Sequence, residues 1–195
     1  MFSVRSIIPT ALLLVSLVLA GCDGMTDDLR PSGDDKRPTV EAGTIGTQVG
    51  QQSPEFPVQV LDTLGVSRGL YNELAGSSGV VLYFTMWCPI CEFDMSHMRK
   101  YVIPNFPTVK FFLVDYVSGS VSVSRASQEA YGYTDIDTLV DPYIDQVNNS
   151  GTKVLENMYQ ATMGSTIVID STGIVQMNET YKDGVKLTET LQALP

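Results

Sequence analysis

Histidine is nearly missing from this chain: His97 stands alone among 195 residues. Catalytic schemes or zinc sites assembled from several histidines are thereby excluded. Positive charge is also scarce, with 12 Lys and Arg against 22 Asp and Glu and a formal net charge of −10. A phosphate backbone needs a basic face, so no nucleic-acid partner is expected. No apolar run reaches the ~20 residues that cross a bilayer comfortably. Internal repeats are absent as well. What remains is a composition of 44% hydrophobic and 17% charged residues, that of a globular protein whose length suits one core.

The N-terminus is expected to be a targeting segment. Arg5 precedes an apolar stretch, residues 11–20, interrupted only by Ser16. Its length suits a secretory h-region better than a transmembrane anchor. Leu19-Ala20-Gly21-Cys22 follows directly and resembles the bacterial lipobox. That resemblance implies a signal peptide over 1–21 and a lipid on the Cys22 sulfur. It places the chain in a bacterial cell envelope, on the extracytoplasmic or periplasmic face. Asp23 then favours retention at the inner membrane. Residues 23–52 are rich in Gly, Asp, Thr, Gln and Pro with few large apolar groups, so 22–52 reads as a lipidated, flexible tether. Such a segment reaches about 30 Å root-mean-square. The folded domain is expected over 53–195.

Within it, residues 80–85 (VVLYFT) and 109–114 (VKFFLV) are continuous apolar runs, the pattern of strands covered on both faces. Between them a helix is expected from near Pro89 to Val102, stopped by Pro104. Strand–helix–strand spacing favours a right-handed parallel connection. Residues 56–61 read as a short extended segment, 68–75 as a helix, 122–131 as weakly helical and 138–141 as at most a short strand. Residues 152–159 carry Val154, Leu155 and Met158 on one helical face. STIVID (165–170) and IVQMNE (174–179), joined by Ser171-Thr172-Gly173, read as a β-hairpin, and Leu187, Thr190, Leu191 and Leu194 suggest a closing helix. The class is α/β.

The chemistry is expected in Trp87-Cys88-Pro89-Ile90-Cys91, between the first buried strand and its helix. A cysteine at a helix start faces unpaired N–H groups and the positive end of the helix dipole, and both favour a thiolate. Pro89 suits the first helical position. Cys88 is then the attacking sulfur, and Cys91, one turn in, resolves the mixed disulfide. A structural disulfide closing so short a loop removes little unfolded-state entropy. A structural zinc needs four ligands, and the two thiols with His97 supply three.

Residues 80–95 (VVLYFTMWCPICEFDM) resemble the active-site region of thioredoxin-like proteins, specifically the TlpA/ResA/CcmG-type redoxins of the bacterial envelope. The resemblance extends at pattern level over about 56–195. It implies a central mixed sheet of about five strands flanked by helices on both faces. It also implies thiol-disulfide oxidoreductase activity without a cofactor, protein thiol or disulfide clients, an envelope redox partner and a monomer. Trp87 matches the family's tryptophan before the first cysteine and, with Pro89, Gly164 and Ser165, is expected to cover the dithiol. Asp94 falls three residues after Cys91, where these redoxins usually carry Glu, and could relay a proton to or from the Cys91 thiol. The family's cis-proline is missing: the loop reads Met163-Gly164-Ser165-Thr166.

Two rival activities are open. Thr85-Met86-Trp87-Cys88 contains the T-x-x-C of peroxiredoxins, although Val81 stands where they need proline. A copper-delivery lipoprotein similar to the Sco-type chaperones would hold Cu(I) through Cys88, Cys91 and His97, with Met86, Met95 and Met98 nearby in sequence.

Overall fold

The protein is described here from a computed structural model covering residues 40–195. The expected signal peptide, the Cys22 lipidation site and the first part of the tether lie outside the described residues. The order of elements is β1 (Leu61–Asp62), α1 (Leu70–Leu74), β2 (Gly79–Thr85), α2 (Pro89–His97), β3 (Val109–Asp115), α3 (Val121–Tyr131) and β4 (Asp137–Val140). It continues with β5 (Tyr143–Asp145), β6 (Ser150–Lys153), α4 (Val154–Tyr159), β7 (Ser165–Asp170), β8 (Val175–Thr180) and α5 (Val185–Gln192).

One mixed sheet of six strands runs β1-β4-β3-β2-β7-β8, while β5 and β6 form a separate two-stranded ribbon. The expected count of about five is exceeded at one edge, where Leu61 and Asp62 pair antiparallel with β4. Upstream of that pair the expected strand is replaced by a turn, in which the Val60 N–H donates to the Pro57 carbonyl at 2.9 Å. The β2–β3 and β3–β4 pairs are parallel, and β2–β7 and β7–β8 antiparallel. The parallel βαβ connection and the hairpin are therefore both present.

All seven residues of β2 are buried, because each face of the sheet is covered. Val80, Leu82 and Phe84 pack on one side with Leu70 and Leu74 of α1 and Leu155 and Tyr159 of α4. Val81 and Tyr83 pack on the other with Met95 of α2 and Leu187 and Leu191 of α5. Each large apolar side chain so buried contributes ~1.5–3 kcal/mol, and a one-residue slip would exchange the two sets. Register is thus set by packing, and it delivers Thr85 and the following turn to the end of the central strand.

The helix expected to reach 102 is α-helical only to His97. It widens to a π turn over Met98–Val102 and closes as a 3-10 turn over Ile103–Asn105. Pro104, with no N–H to extend the ladder, sits in that last turn. The ribbon β5–β6 precedes α4, whose first turn is held by Asp141: its carboxylate accepts the Leu155 and Glu156 N–H groups, each at 2.7 Å.

The tether expected to end at 52 ends earlier. Gly50 N–H donates to the Val175 carbonyl at 2.8 Å, Val175 N–H returns a bond to Gln51 at 2.9 Å, and Asn178 Nδ2 donates to the Thr47 carbonyl at 2.9 Å. A backbone edge recruits a neighbour through N–H and C=O groups whatever the side chains, so a polar segment can be ordered on it. Ser53, which follows, is buried, and its Oγ pairs with the Tyr159 hydroxyl at 2.7 Å. Ser53→Ala leaves that buried phenol without its partner, so unfolding free energy is expected to fall by about 1–3 kcal/mol. A urea transition unmoved by the substitution would show that this N-terminal segment does not brace the domain at Ser53.

Candidate active site

The chain leaves β2 through a sharp turn. Trp87 adopts a left-handed backbone at φ 56°, a conformation that costs an ordinary residue roughly 1–2 kcal/mol. Local bonds hold it: Trp87 N–H donates to Thr85 Oγ1 at 3.0 Å, and the Tyr131 hydroxyl of α3 donates to the Trp87 carbonyl. The indole, 8% exposed, lies with its ring centroid 5.7 Å from that of Tyr131. This turn places Cys88 at the N-cap of α2, with Pro89 in the first turn.

Cys88 Sγ accepts the Cys91 N–H at 3.3 Å and lies 2.8 Å from Cys91 Sγ, both cysteines being free. Partial burial raises the Cys88 thiol, but hydrogen bonds from the Cys91 thiol and from the Cys91 and Ile90 N–H groups outweigh it, and its pKa falls below the ordinary value. Cys91 is fully buried, and burial, reinforced by its bond with Cys88, pushes its thiol up. The two sulfurs are thus unequal: the outer one ionises readily and the inner one holds its proton.

Asp94 sits in the third position after Cys91 on α2 and is 9% exposed. Burial raises its carboxyl above the usual range, against the opposing pull of the Tyr83 hydroxyl, which donates to Oδ2 at 2.9 Å. The same oxygen lies 3.8 Å from where a Cβ on Gly164 would stand, so the acid faces the loop before β7.

That loop differs from expectation in which residue meets the dithiol. All peptide bonds among the described residues are trans, and the loop turns on Gly164 at φ 77°. Gly164 N–H donates to the Phe84 carbonyl at 2.9 Å, which pins the loop to the end of β2. Ser165 faces its own loop, its Oγ accepting the Thr162 N–H at 2.9 Å. The neighbour that reaches the dithiol is Met163, whose Sδ accepts the Cys88 thiol at 3.5 Å. Nothing in a local pattern marks Met163; its only signal is a place beside Gly164 in the loop ahead of a buried strand.

His97 does not join the cysteines. Six residues past Cys91 it lies roughly 9 Å along the helix axis and on another face. Its Nδ1 is 2.6 Å from the Tyr181 hydroxyl. Among the described residues no three or more His, Cys, Asp or Glu side chains gather as metal ligands. The three-ligand copper set of Cys88, Cys91 and His97 is therefore corrected. Met95 and Met98 are buried core residues.

Sheet order, the helices on both faces and a CxxC at the N-terminus of α2 define a thioredoxin-like fold. Among solved structures, the chain is similar to a Chlorobium tepidum protein provisionally designated a thiol:disulfide interchange protein DsbE, at 16% identity and TM-score 0.59, covering 76% of this chain and 99% of that one. It is likewise similar to a Bacteroides thetaiotaomicron protein provisionally designated a protein disulfide isomerase, with 19% identity, TM-score 0.57 and coverage of 76% and 90%. A thiol peroxidase from Chromobacterium violaceum shares the fold at 12% identity and TM-score 0.53, over 77% of this chain and 89% of that one. No family model and no curated protein matches the sequence.

Proposed function

We propose that the protein is a thiol-disulfide oxidoreductase acting on protein disulfides or dithiols from a lipid anchor at the extracytoplasmic face of a bacterial membrane. The observation that carries the chemistry is the asymmetric pair. Cys88 Sγ caps a helix and takes the Cys91 N–H, while Cys91 is fully enclosed 2.8 Å behind it. Cys88 attacks a client disulfide as the thiolate, a mixed disulfide forms, and the client's first sulfur leaves. Cys91 then gives up its proton, with Asp94 as acceptor, and displaces the second client sulfur to form the Cys88–Cys91 disulfide. Run backwards, the same steps oxidise a client dithiol. Trp87 and Pro89 shape the approach, and the exposed side chains of Met86, Ile90 and Phe93 offer apolar surface to a client chain. No cofactor is needed, since two electrons are carried by the sulfurs themselves.

The anchor is supported by Cys22 following an h-region and by the envelope redoxins that residues 80–95 resemble. The peroxidase reading gains no support at Thr85, whose hydroxyl accepts the Trp87 N–H at 3.0 Å and influences the inner sulfur, Cys91. The test is turnover of insulin disulfides by the purified full chain with dithiothreitol as electron donor. Catalysis well above the dithiothreitol background is expected; a rate equal to that background overturns the proposal.

A further inference from the structure

Cys88 Sγ has sulfur on two sides: Cys91 at 2.8 Å and the Met163 thioether at 3.5 Å. The exchange steps proposed for a client make no use of the second neighbour. A thioether is oxidised by hydroperoxides to a sulfoxide, and a sulfoxide is reduced by a pair of thiols. Met163 is half-buried, so small peroxides can reach it. We propose that the Cys88–Cys91 dithiol reduces methionine sulfoxide formed at Met163, making that side chain a renewable scavenger of hydroperoxides. The proposal rests on the reading of Cys88 and Cys91 as a redox dithiol.

The steps balance. A hydroperoxide transfers one oxygen to Met163 Sδ and leaves as an alcohol or water. The Cys88 thiolate attacks the sulfoxide sulfur, forming an S–S bond while the S–O bond breaks and its oxygen departs as water with two protons. Cys91 thiolate then attacks Cys88 Sγ, closing the disulfide and releasing the neutral thioether. Methionine sulfoxide gains two electrons, the dithiol loses two, and the two thiols together account for both protons. The client-exchange chemistry proposed above returns the disulfide to the dithiol.

Three features of the geometry support this. A 3.5 Å separation of the reacting sulfurs is within the range of ~3–3.5 Å from which attack proceeds. The resolving sulfur is already in place behind Cys88. Asp94, a buried acid, has its Oδ2 3.8 Å from the Cβ position of Gly164, the residue that follows Met163 in the chain. Met158, by contrast, is packed against the core on the opposite face of the sheet from the cysteines.

The experiment uses the full chain in its disulfide form, treated with hydrogen peroxide, freed of peroxide, reduced by a short dithiothreitol pulse and desalted. Peptide mass mapping then follows each methionine. The Met163 peptide is expected to lose its added oxygen about 100-fold or more faster than the Met158 peptide, a modest share of what proximity can supply. The Cys88–Cys91 disulfide should appear in step with that loss. Cys88→Ser should retain the sulfoxide. Failure of Met163 to take up oxygen, persistence equal to that of Met158, or an undiminished rate in Cys88→Ser overturns the inference. Insulin reduction measured on the same sample separates the two ideas: exchange with a persistent sulfoxide sinks only the scavenging role, whereas loss of both sinks the dithiol reading beneath it.

Discussion

Cys91→Ser is expected to accumulate as a covalent adduct with its client through Cys88, whereas Cys88→Ser should form no adduct and lose insulin reduction down to the uncatalysed rate. The asymmetry follows from placement. Cys88 caps α2, and hydrogen bonds to its sulfur, led by that from the Cys91 thiol, hold its pKa below the ordinary thiol value against the opposing effect of burial. Cys91 has no exposed surface and its thiol is pushed up by burial. Only the outer sulfur can therefore meet a client, and only the inner one is positioned to release it. Removing the inner thiol stops the reaction after one bond, and non-reducing electrophoresis will show the trapped species. An adduct through Cys91 in a Cys88→Ser chain would reverse the assignment of roles.

The same pair sets a pH signature for the reduced protein. Because the folded-state Cys88 pKa is lowered, its ionisation contributes stability above the unfolded thiol value of ~8.5, which is lost as pH falls through the lower folded value. Cys91 works in the opposite sense: its raised pKa favours the fold at low pH, and that contribution is lost as pH rises through the folded value. Alkylation of Cys88 should accordingly begin at lower pH than that of Cys91.

Much of this arrangement was legible in the residues themselves, and what was not has common physical causes. VVLYFT and STIVID are strands because apolar, β-branched runs have to be covered on both faces, and β2 and β7 occupy them. The cysteine at the head of α2 was legible for the same reason: a buried strand followed by Cys-Pro allows little but a helix start. By contrast, β6 is Ser-Gly-Thr-Lys, a polar run that declares no strand. It pairs with β5 beside a Lys153 ammonium lying 3.6 Å from the Tyr143 ring centroid, a contact set by tertiary structure. Residues 43–52 have the composition of a tether, poor in large apolar groups, yet their backbone is bound to the edge at Val175. Edge pairing uses groups that every residue carries, so composition is silent about it. Met163 was hidden likewise. Its sulfur meets Cys88 only because the Gly164 turn, pinned to Phe84, folds the chain back across 75 positions.

Asp94→Asn is expected to slow release of the client from the mixed disulfide by about 10²–10⁴-fold at neutral pH, the share that a positioned proton acceptor contributes. The substitution keeps the side chain's size and its partner, since an amide oxygen can still accept from Tyr83, but it cannot take a proton. Cys91 is the group that needs one: its raised pKa leaves it almost wholly protonated at neutral pH. On the proposed path the native carboxylate accepts that proton once pH exceeds its own value, itself raised by burial. Without it, resolution must wait for the small fraction of Cys91 already ionised, and the rate should climb about tenfold per pH unit through the alkaline range. With a chromogenic aryl disulfide the two steps separate, because Cys88 attack releases the first aryl thiol and Cys91 attack the second. The first release should be nearly unchanged in Asp94→Asn and the second strongly delayed, with Asp94→Glu restoring the native pH profile. A merely structural role would slow both releases alike and leave the profile where it was. That result would remove Asp94 from the proton path and leave Cys91 to ionise into solvent.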